Sequence, residues 1–582
     1  MGTEESTLKK NGYELEKETE NAVVATKGDD KFIIKKILLK QTPRELISEI
    51  EVYKTTNHPH IVNSKNSFKD ENVYYVVMDY CQGGNLATKI RESVDKKQPS
   101  EESQVLSWIV EICMALKTSH DKGLLHKHLT PENVYFTEFG TVCLGEFGKI
   151  HENSKNTKSN RLKTINYLAP EVFTQGTYDA KSDIWSVGCI LYELCTQTSA
   201  FTAETPVKLM PKVIGGPYPS IPDTFSPELR ELLKDILEKD PQSRPTASEI
   251  LEHPVVLSFC LIEKCKTTVK ELQEKLKQLR DLADGLESVH TNTTIGSLTG
   301  GVIGAAGGIT AIVGLILSPF TLGASLIVTG VGIGVSTLGG VTAGASNIRN
   351  LVKSSSDRKA VRTIIKEFEE KMKAVITWIK QINESLQAIR SRFESADLST
   401  EHTEFSPENL VRLGSRAGRG LGGIAELVRL VQVVNVGKIV AQTSRAIRVA
   451  EVATGVFSGL FLAVDLFFIA MDAKEIHHIR QAKAAERRGE ASSESVSETE
   501  TPSDQASLVP SSPMQESEES ETQDQSSQNT TPIRSELMKF VRSIREAADN
   551  LQKVLDDFKS VISSIPSLQN EREHGWRDME LM

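Results

Sequence analysis

Between Glu287 and Arg349 there is no Asp, Glu, Lys or Arg, and this run constrains the chain more than any other stretch. A helix needs about 20 predominantly apolar residues to cross a bilayer. The run could supply two, from Ile295 to Leu317 and from Phe320 to Gly344, with Ser318-Pro319 as the hinge between them. Glycines four residues apart, in Gly300/Gly304/Gly308, Gly330/Gly334 and Gly340/Gly344, let helix backbones approach closely in lipid. Residues 295–347 therefore read as a hydrophobic helical hairpin. It either contacts a membrane or lies buried in a soluble bundle, and the rarity of such uncharged runs in soluble cores favours the membrane.

The length of 582 residues suggests three or four domain-sized units. A net charge of -10 argues against general nucleic-acid binding. The 7 cysteines, Cys81, Cys113, Cys143, Cys189, Cys195, Cys260 and Cys265, lie in the first half without a CxxC pair, which fits reduced thiols in the cytosol. The N-terminus has no apolar core, so no cleavable signal peptide is expected. Together these place the chain in the cytoplasm, associating with intracellular membranes.

From Tyr13 to Val256 strand-like and helix-like runs alternate. FIIKKI carries Lys35, and Glu49 follows on the helical RELISEIEVYK. NHPHIV, YYVVMDYCQGGNL, LLHKHLTPENVYF, Ala169-Pro170-Glu171, SDIWSVGCILYELCT and DPQSRPTASEIL come next, in order. This series resembles a protein kinase, and the wording of MDYCQGGNL and KSDIWSVGCILYELCT resembles the NIMA-related Ser/Thr kinases. The resemblance implies an α+β two-lobed fold over 13–256 after a tail over 1–12. It also implies an ATP and magnesium pocket lined by Lys35, Glu49, Asn133 and Glu146, with Asn133 and Glu146 as the metal ligands.

Several working positions depart from the kinase pattern. EKETENAVVATKGDD contains only Gly28, so a glycine-rich phosphate lid is missing. The catalytic loop is His126-Lys127-His128-Leu129-Thr130-Pro131-Glu132-Asn133, with His128 at the catalytic-base position and Thr130 at the place of the phosphate-neutralising lysine. The metal-binding Asp becomes Glu146, whose extra methylene moves the carboxylate by roughly 1.5 Å. Positioning supplies nearly all phosphoryl-transfer catalysis, so these changes point to an inactive kinase-like domain. A histidine can still serve as a base near neutral pH, which keeps a membrane-localised Ser/Thr kinase as the rival reading.

Beyond His253-Pro254 the pattern turns helical. Val269, Leu272, Leu276, Leu279, Ala283 and Leu286 form one heptad seam, and Val361, Ile365, Phe368, Met372, Val375, Ile379, Ile382, Leu386 and Ile389 form another. LQEKLKQLRDLADGLESVHTNTTIGSLTG, SPFTLGASLIVTGVGIGVSTLGG and FLAVDLFFIAMDAKEIHHIRQAKA resemble the apolipoprotein L family. The resemblance covers Val269 to Ala484, within a helical domain placed at 257–484. It implies an all-α module that binds lipid, inserts into membranes or forms cation-permeable pores.

Within that module, Arg412, Arg416, Arg419, Arg429, Lys438, Arg445 and Arg448 are interleaved with aliphatic residues, which suits anionic lipid headgroups or a solvated helix face. A third apolar helix over 452–471 is interrupted by Asp465. An acid in a spanning helix marks a functional position, and desolvation raises a carboxyl's pKa, so Asp465 is a candidate pH trigger. Residues 485–533 are acidic and Ser/Glu-rich and read as a disordered linker. An amphipathic helix over 534–564 follows, able to dock on the seam helices or to dimerise, and then a tail over 565–582.

The sequence as a whole predicts a membrane-active effector, with anionic lipid as partner, regulated or scaffolded by a kinase-like domain. Further protein partners would use that domain and the C-terminal helix, and self-association is open. A soluble lipid carrier is the third alternative.

Overall fold

A five-stranded antiparallel sheet lies near the start of the chain, its three central strands rich in β-branched and aromatic residues. In the computed structural model its strands are β1 (Glu14–Glu18), β2 (Ala22–Lys27), β3 (Asp30–Leu38), β4 (Ser64–Asp70) and β5 (Val73–Asp79), in the order β1-β2-β3-β5-β4. The structure describes residues 2–295, 343–397, 455–465 and 525–563, apart from 19–21, 29, 39–43, 99, 146, 148–163, 218–219, 254 and 258–262. Most of the hydrophobic hairpin, the basic segment and Glu146 therefore lie outside the described residues.

The described residues fall into two units: the first takes its parts from Met1–Glu271, Glu370–Ala450 and Leu555–Met582, the second from Leu272–Glu369 and Glu451–Val554. In the first unit, residues set down above as a tail form helix α1 (Gly2–Lys10). Its Leu8 is buried in one cluster with Tyr13, Val23, Ile34, Tyr75 and Val77, so the helix belongs to the core of the sheet lobe. Helix α2 (Arg44–Lys54) lies between β3 and β4 in sequence and buries Ile50 and Tyr53.

A helical lobe follows, beginning with α3 (Leu86–Asp95) and α4 (Glu102–Asp121) and a short hairpin of β6 (Val134–Phe136) and β7 (Val142–Leu144). It continues with α5 (Pro170–Gln175), α6 (Ala180–Thr196), α7 (Pro206–Gly215), α8 (Pro227–Ile236) and α9 (Ala247–Leu251). Helix α6 is buried without a break from Ser182 to Tyr192 and starts at a capping box of Asp179 and Ser182. Glu171 and Arg244 form a buried pair, with Nη1–Oε1 at 2.9 Å and Nη2–Oε2 at 3.2 Å. The Arg244 guanidinium also lies 5.1 Å above the Trp185 ring.

Both long seam helices contribute to both units. They are α10 (Glu263–Ile295) and α11 (Ala343–Asp397). In the second unit α10 buries Leu272, Leu276, Leu279 and Ala283, and α11 buries Val361, Ile365 and Phe368. A helix over 455–465 adds Phe457, Leu460 and Val464. Helix α13 (Gln525–Ser563; the helix over 455–465 is α12) adds Val541, Ile544, Ala548 and Leu551. Arg545 of α13 bonds Asp284 at 2.6 Å and also Glu287, so among the two options for the C-terminal helix the structure contains docking on α10. Helix α13 begins nine residues before the expected 534, inside the stretch read as linker. Once its apolar stripe nucleates a helix, each further residue adds a hydrogen bond.

Among the described residues no helix is long and apolar enough to cross a membrane, and the two expected spans lie almost wholly outside those residues. The seam of α11 is not one coiled-coil stripe either, because Val361–Phe368 packs in the second unit and Met372–Ile382 in the first. Asp465 at the end of α12 is not enclosed in apolar surroundings: its carboxylate is 2.9 Å from Arg362 Nη1, and each side chain is 31% exposed.

Candidate functional site

The catalytic loop between α4 and β6 is held from below by Asp183 of α6. Its carboxylate accepts from the backbone N–H groups of His126 and Lys127, both at 2.9 Å, from the Tyr178 hydroxyl at 2.6 Å and from His120 Nε2 at 2.9 Å. Burial alone would push this carboxyl up, but the bonds from His120 and Tyr178 and the nearby imidazoles hold it below the ordinary carboxylate value. Lys127 takes a left-handed backbone, φ 67°, an uncommon conformation for a residue with a Cβ. The two backbone bonds from His126 and Lys127 to Asp183 pin the loop in that strained turn, while Tyr178 and His120 hold the carboxylate in place.

Above the loop a column of rings joins it to α2. His126 packs 4.7 Å from Phe147, and Phe147 packs 5.7 Å from Tyr53. The Tyr53 hydroxyl donates to the Val62 carbonyl and approaches Met78 Sδ at 3.4 Å. These aromatic contacts, all buried, register α2, the catalytic loop and β5 as one body.

The residues singled out by sequence come together only in part. Lys35 lies half-buried in mid-β3, paired in register with Ala22 and Val76. Glu49 on α2 takes an ion pair from the catalytic loop, with Lys127 Nζ 3.1 Å from its Oε1. Sequence reading missed Lys127 in this role, although a cation at the second position of His126-Lys127-His128 was its signal. Asn133 is buried and its Nδ2 donates to the His128 carbonyl at 2.7 Å, so a metal could use only its Oδ1. His128 is half-buried on the same loop.

The fit for nucleotide is partial. The β1–β2 connection is Thr19-Glu20-Asn21, three residues without glycine, where backbone would have to close over phosphates. Gly28, the glycine nearest by sequence, belongs instead to the turn between β2 and β3, at φ 63°. Among the described residues no group of three or more His, Cys, Asp or Glu could hold a metal. What remains is the cation of Lys35, the amide of Asn133 and an imidazole at His128, enough to bind and orient polar groups but without a carboxylate at the base position.

A second constellation lies at the rear of this lobe, in the same unit. His60 is fully buried and its Nδ1 bonds the Val142 carbonyl at 2.9 Å. Trp378 of α11 donates from Nε1 to His60 Nε2 at 3.1 Å, its ring parallel to the imidazole within 7°. A carbonyl can only accept and an indole N–H can only donate, so His60 is neutral with its proton on Nδ1. Glu111 of α4 accepts from Val142 N–H at 2.9 Å, and Lys264 of α10 reaches Glu111 at 3.5 Å and the Trp378 ring at 5.7 Å.

Comparison with known proteins agrees with this geometry. The family model described as protein kinase domain matches residues 13–256, and that described as apolipoprotein L matches 259–494. The serine/threonine-protein kinase Nek1 of Mus musculus is 37% identical over 236 residues, 40% of this chain and 20% of that protein. Nek4 of the same organism is 33% identical over 275 residues, 45% of this chain and 34% of that protein. Nek3 is 34% identical over 232 residues, 39% and 45% respectively, so the chain spans less than half the length of each of these relatives. The chain joins a NIMA-related kinase-like N-terminal domain to an apolipoprotein L domain.

Proposed function

We propose that the protein is a membrane-active or lipid-binding effector working through its apolipoprotein L domain, with the kinase-like domain as scaffold and regulator and without phosphotransferase activity. The observation that carries the second half is the catalytic loop: His128 replaces the carboxylate, and the neighbouring Lys127 is spent on Glu49 at 3.1 Å. The uncharged run over 290–348 supports the first half. In this reading the protein works in the cytoplasm, on the anionic face of an intracellular membrane.

The rival is an active Ser/Thr kinase, favoured by the intact ring column and by Asn133, which would position magnesium beside a bound nucleotide. Transfer of labelled phosphate from ATP to a generic protein substrate separates the two. Transfer that disappears in Lys35→Ala establishes the kinase and overturns the scaffold; no transfer above that of Lys35→Ala supports the scaffold. Flotation with anionic liposomes at two pH values tests the membrane half, and a chain that never floats but extracts lipid would be a soluble carrier.

A further inference from the structure

The part of α11 docked on the kinase-like lobe is amphipathic in an unusual direction. Met372, Val375, Trp378, Ile379 and Ile382 are all buried, at 3% exposure or less. The polar side carries Lys373 and Lys380 in solvent. A helix with Trp and aliphatics on one face and lysines on the other is of the kind that lies in a lipid interface, its apolar face in the acyl boundary and its cations at anionic headgroups.

The surface covering that face is made for it. The Trp378 N–H meets an acceptor that the Val142 carbonyl, bonded to the other ring nitrogen, holds in the required tautomer. At one edge the Thr137 hydroxyl of the β6–β7 turn donates to Glu370 at 2.6 Å. At the other, Lys117 of α4 bonds Glu384 at 3.0 Å, and the Ser385 hydroxyl points to the Leu251 carbonyl at 3.4 Å. Buried donor and acceptor matched over 318 residues of sequence specify one register, since a slip of one residue would leave both unpaired in the core.

We propose that the rear of the kinase-like lobe is a receptor surface for the 370–385 segment of α11, and that it withholds an interfacial membrane-binding face until the segment is released. The stripe cannot face His60 and a lipid surface at once, so docking and membrane binding exclude each other. The kinase fold here acts by what it covers. This rests on the membrane reading above and adds to it which segment is regulated, and by what.

His60→Leu in the full chain tests it, because it removes the acceptor of Trp378 and leaves α11 unchanged. Amide exchange over 372–385 and partition onto 3:1 phosphatidylcholine–phosphatidylserine vesicles are measured together. The expected result is faster exchange and at least tenfold greater partition, with the gain abolished by adding Ile379→Glu and Ile382→Glu. Thr137→Val with Lys117→Glu, at the rim of the contact, gives the same reading if the buried change unfolds the lobe. Exposed helix with unchanged partition overturns the proposal, as does a gain that survives the two glutamates. Exchange unaltered by either set of variants overturns it too, since the contact would not be what holds the helix. Wild type that binds vesicles while release adds nothing leaves the membrane reading standing without this one; a chain that never binds in any form sinks both.

Discussion

Lys127 Nζ lies 3.1 Å from Glu49 Oε1, so the catalytic loop itself holds the α2 carboxylate. Both side chains are about a quarter exposed, at 26% and 25%, so solvent screens the pair. A double-mutant cycle of Lys127→Ala and Glu49→Ala, by urea unfolding, should give a coupling of about 0.5–1 kcal/mol. Lys127→Arg should retain it. A coupling indistinguishable from zero would mean that the contact does not hold α2 to the loop.

Buried histidines should make the kinase-like domain acid-labile. Burial pushes His58 down to about 3 and His253 down to about 4, and it lowers His60 as well, against the opposing pull of Glu111. All three are neutral in the fold, whereas the unfolded chain protonates them near the ordinary 6.5. The unfolded state then binds more protons below that value, so stability is complete above about pH 6.5 and falls as the pH drops toward 4. Each group contributes about 1.4 kcal/mol per pH unit in that window. Asp183 and Glu171 are held below their ordinary values and stay ionised there, so they do not mask the effect. Unfolding midpoints measured from pH 7.5 to 4.5 should fall, and His253→Gln should flatten part of the slope. A flat profile over that range rules the mechanism out.

The kinase half was legible because its motifs are local: a strand carrying Lys35, a loop running from His126 to Asn133, a helix capped at Asp179. Each needs only neighbours in sequence to take shape. The sheet-lobe role of Leu8 was not legible, because α1 carries little amphipathic signal and its burial depends on Tyr13 and Tyr75 across the sheet. The α11 seam was visible as a stripe, and the structure buries it from Val361 to Ile382. A heptad says that a face is covered and not what covers it, so its division between two cores could not be read. The same limit hid Trp378 and His60, which share no local pattern.

Glu171 and Arg244 should be the least replaceable ion pair. Arg244 is almost wholly buried and makes two bonds to Glu171, and Ser182 adds a third at 2.7 Å. Burial favours the neutral carboxyl, yet the Arg244 guanidinium holds it below the ordinary value. Removing one partner strands a buried charge, so Arg244→Ala should lose about 3–5 kcal/mol. Arg244→Lys should lose much of this, lacking the planar fork. A loss under about 1 kcal/mol, measured by denaturant unfolding, would show that water reaches the site.

Asp465 offers a test of the apolipoprotein L half that is independent of the kinase lobe. Its carboxylate is tied to Arg362 at 2.9 Å, with the guanidinium 6.0 Å above the Phe461 ring. The pair joins α12 to α11 beside the buried contact of Phe368 with Phe457. Neutralising Asp465 leaves the fold its apolar core and weakens the tie to Arg362, worth about 0.5–1 kcal/mol at such exposure. Asp465→Asn should therefore fold normally and, if the tie restrains a membrane-active arrangement, release more dye from anionic vesicles at pH 7 than the wild type does. Arg362→Gln should do the same, since it cuts the tie from the other side. Wild type and both variants leaking equally at pH 7 would exclude the pair as a restraint on the membrane-active arrangement.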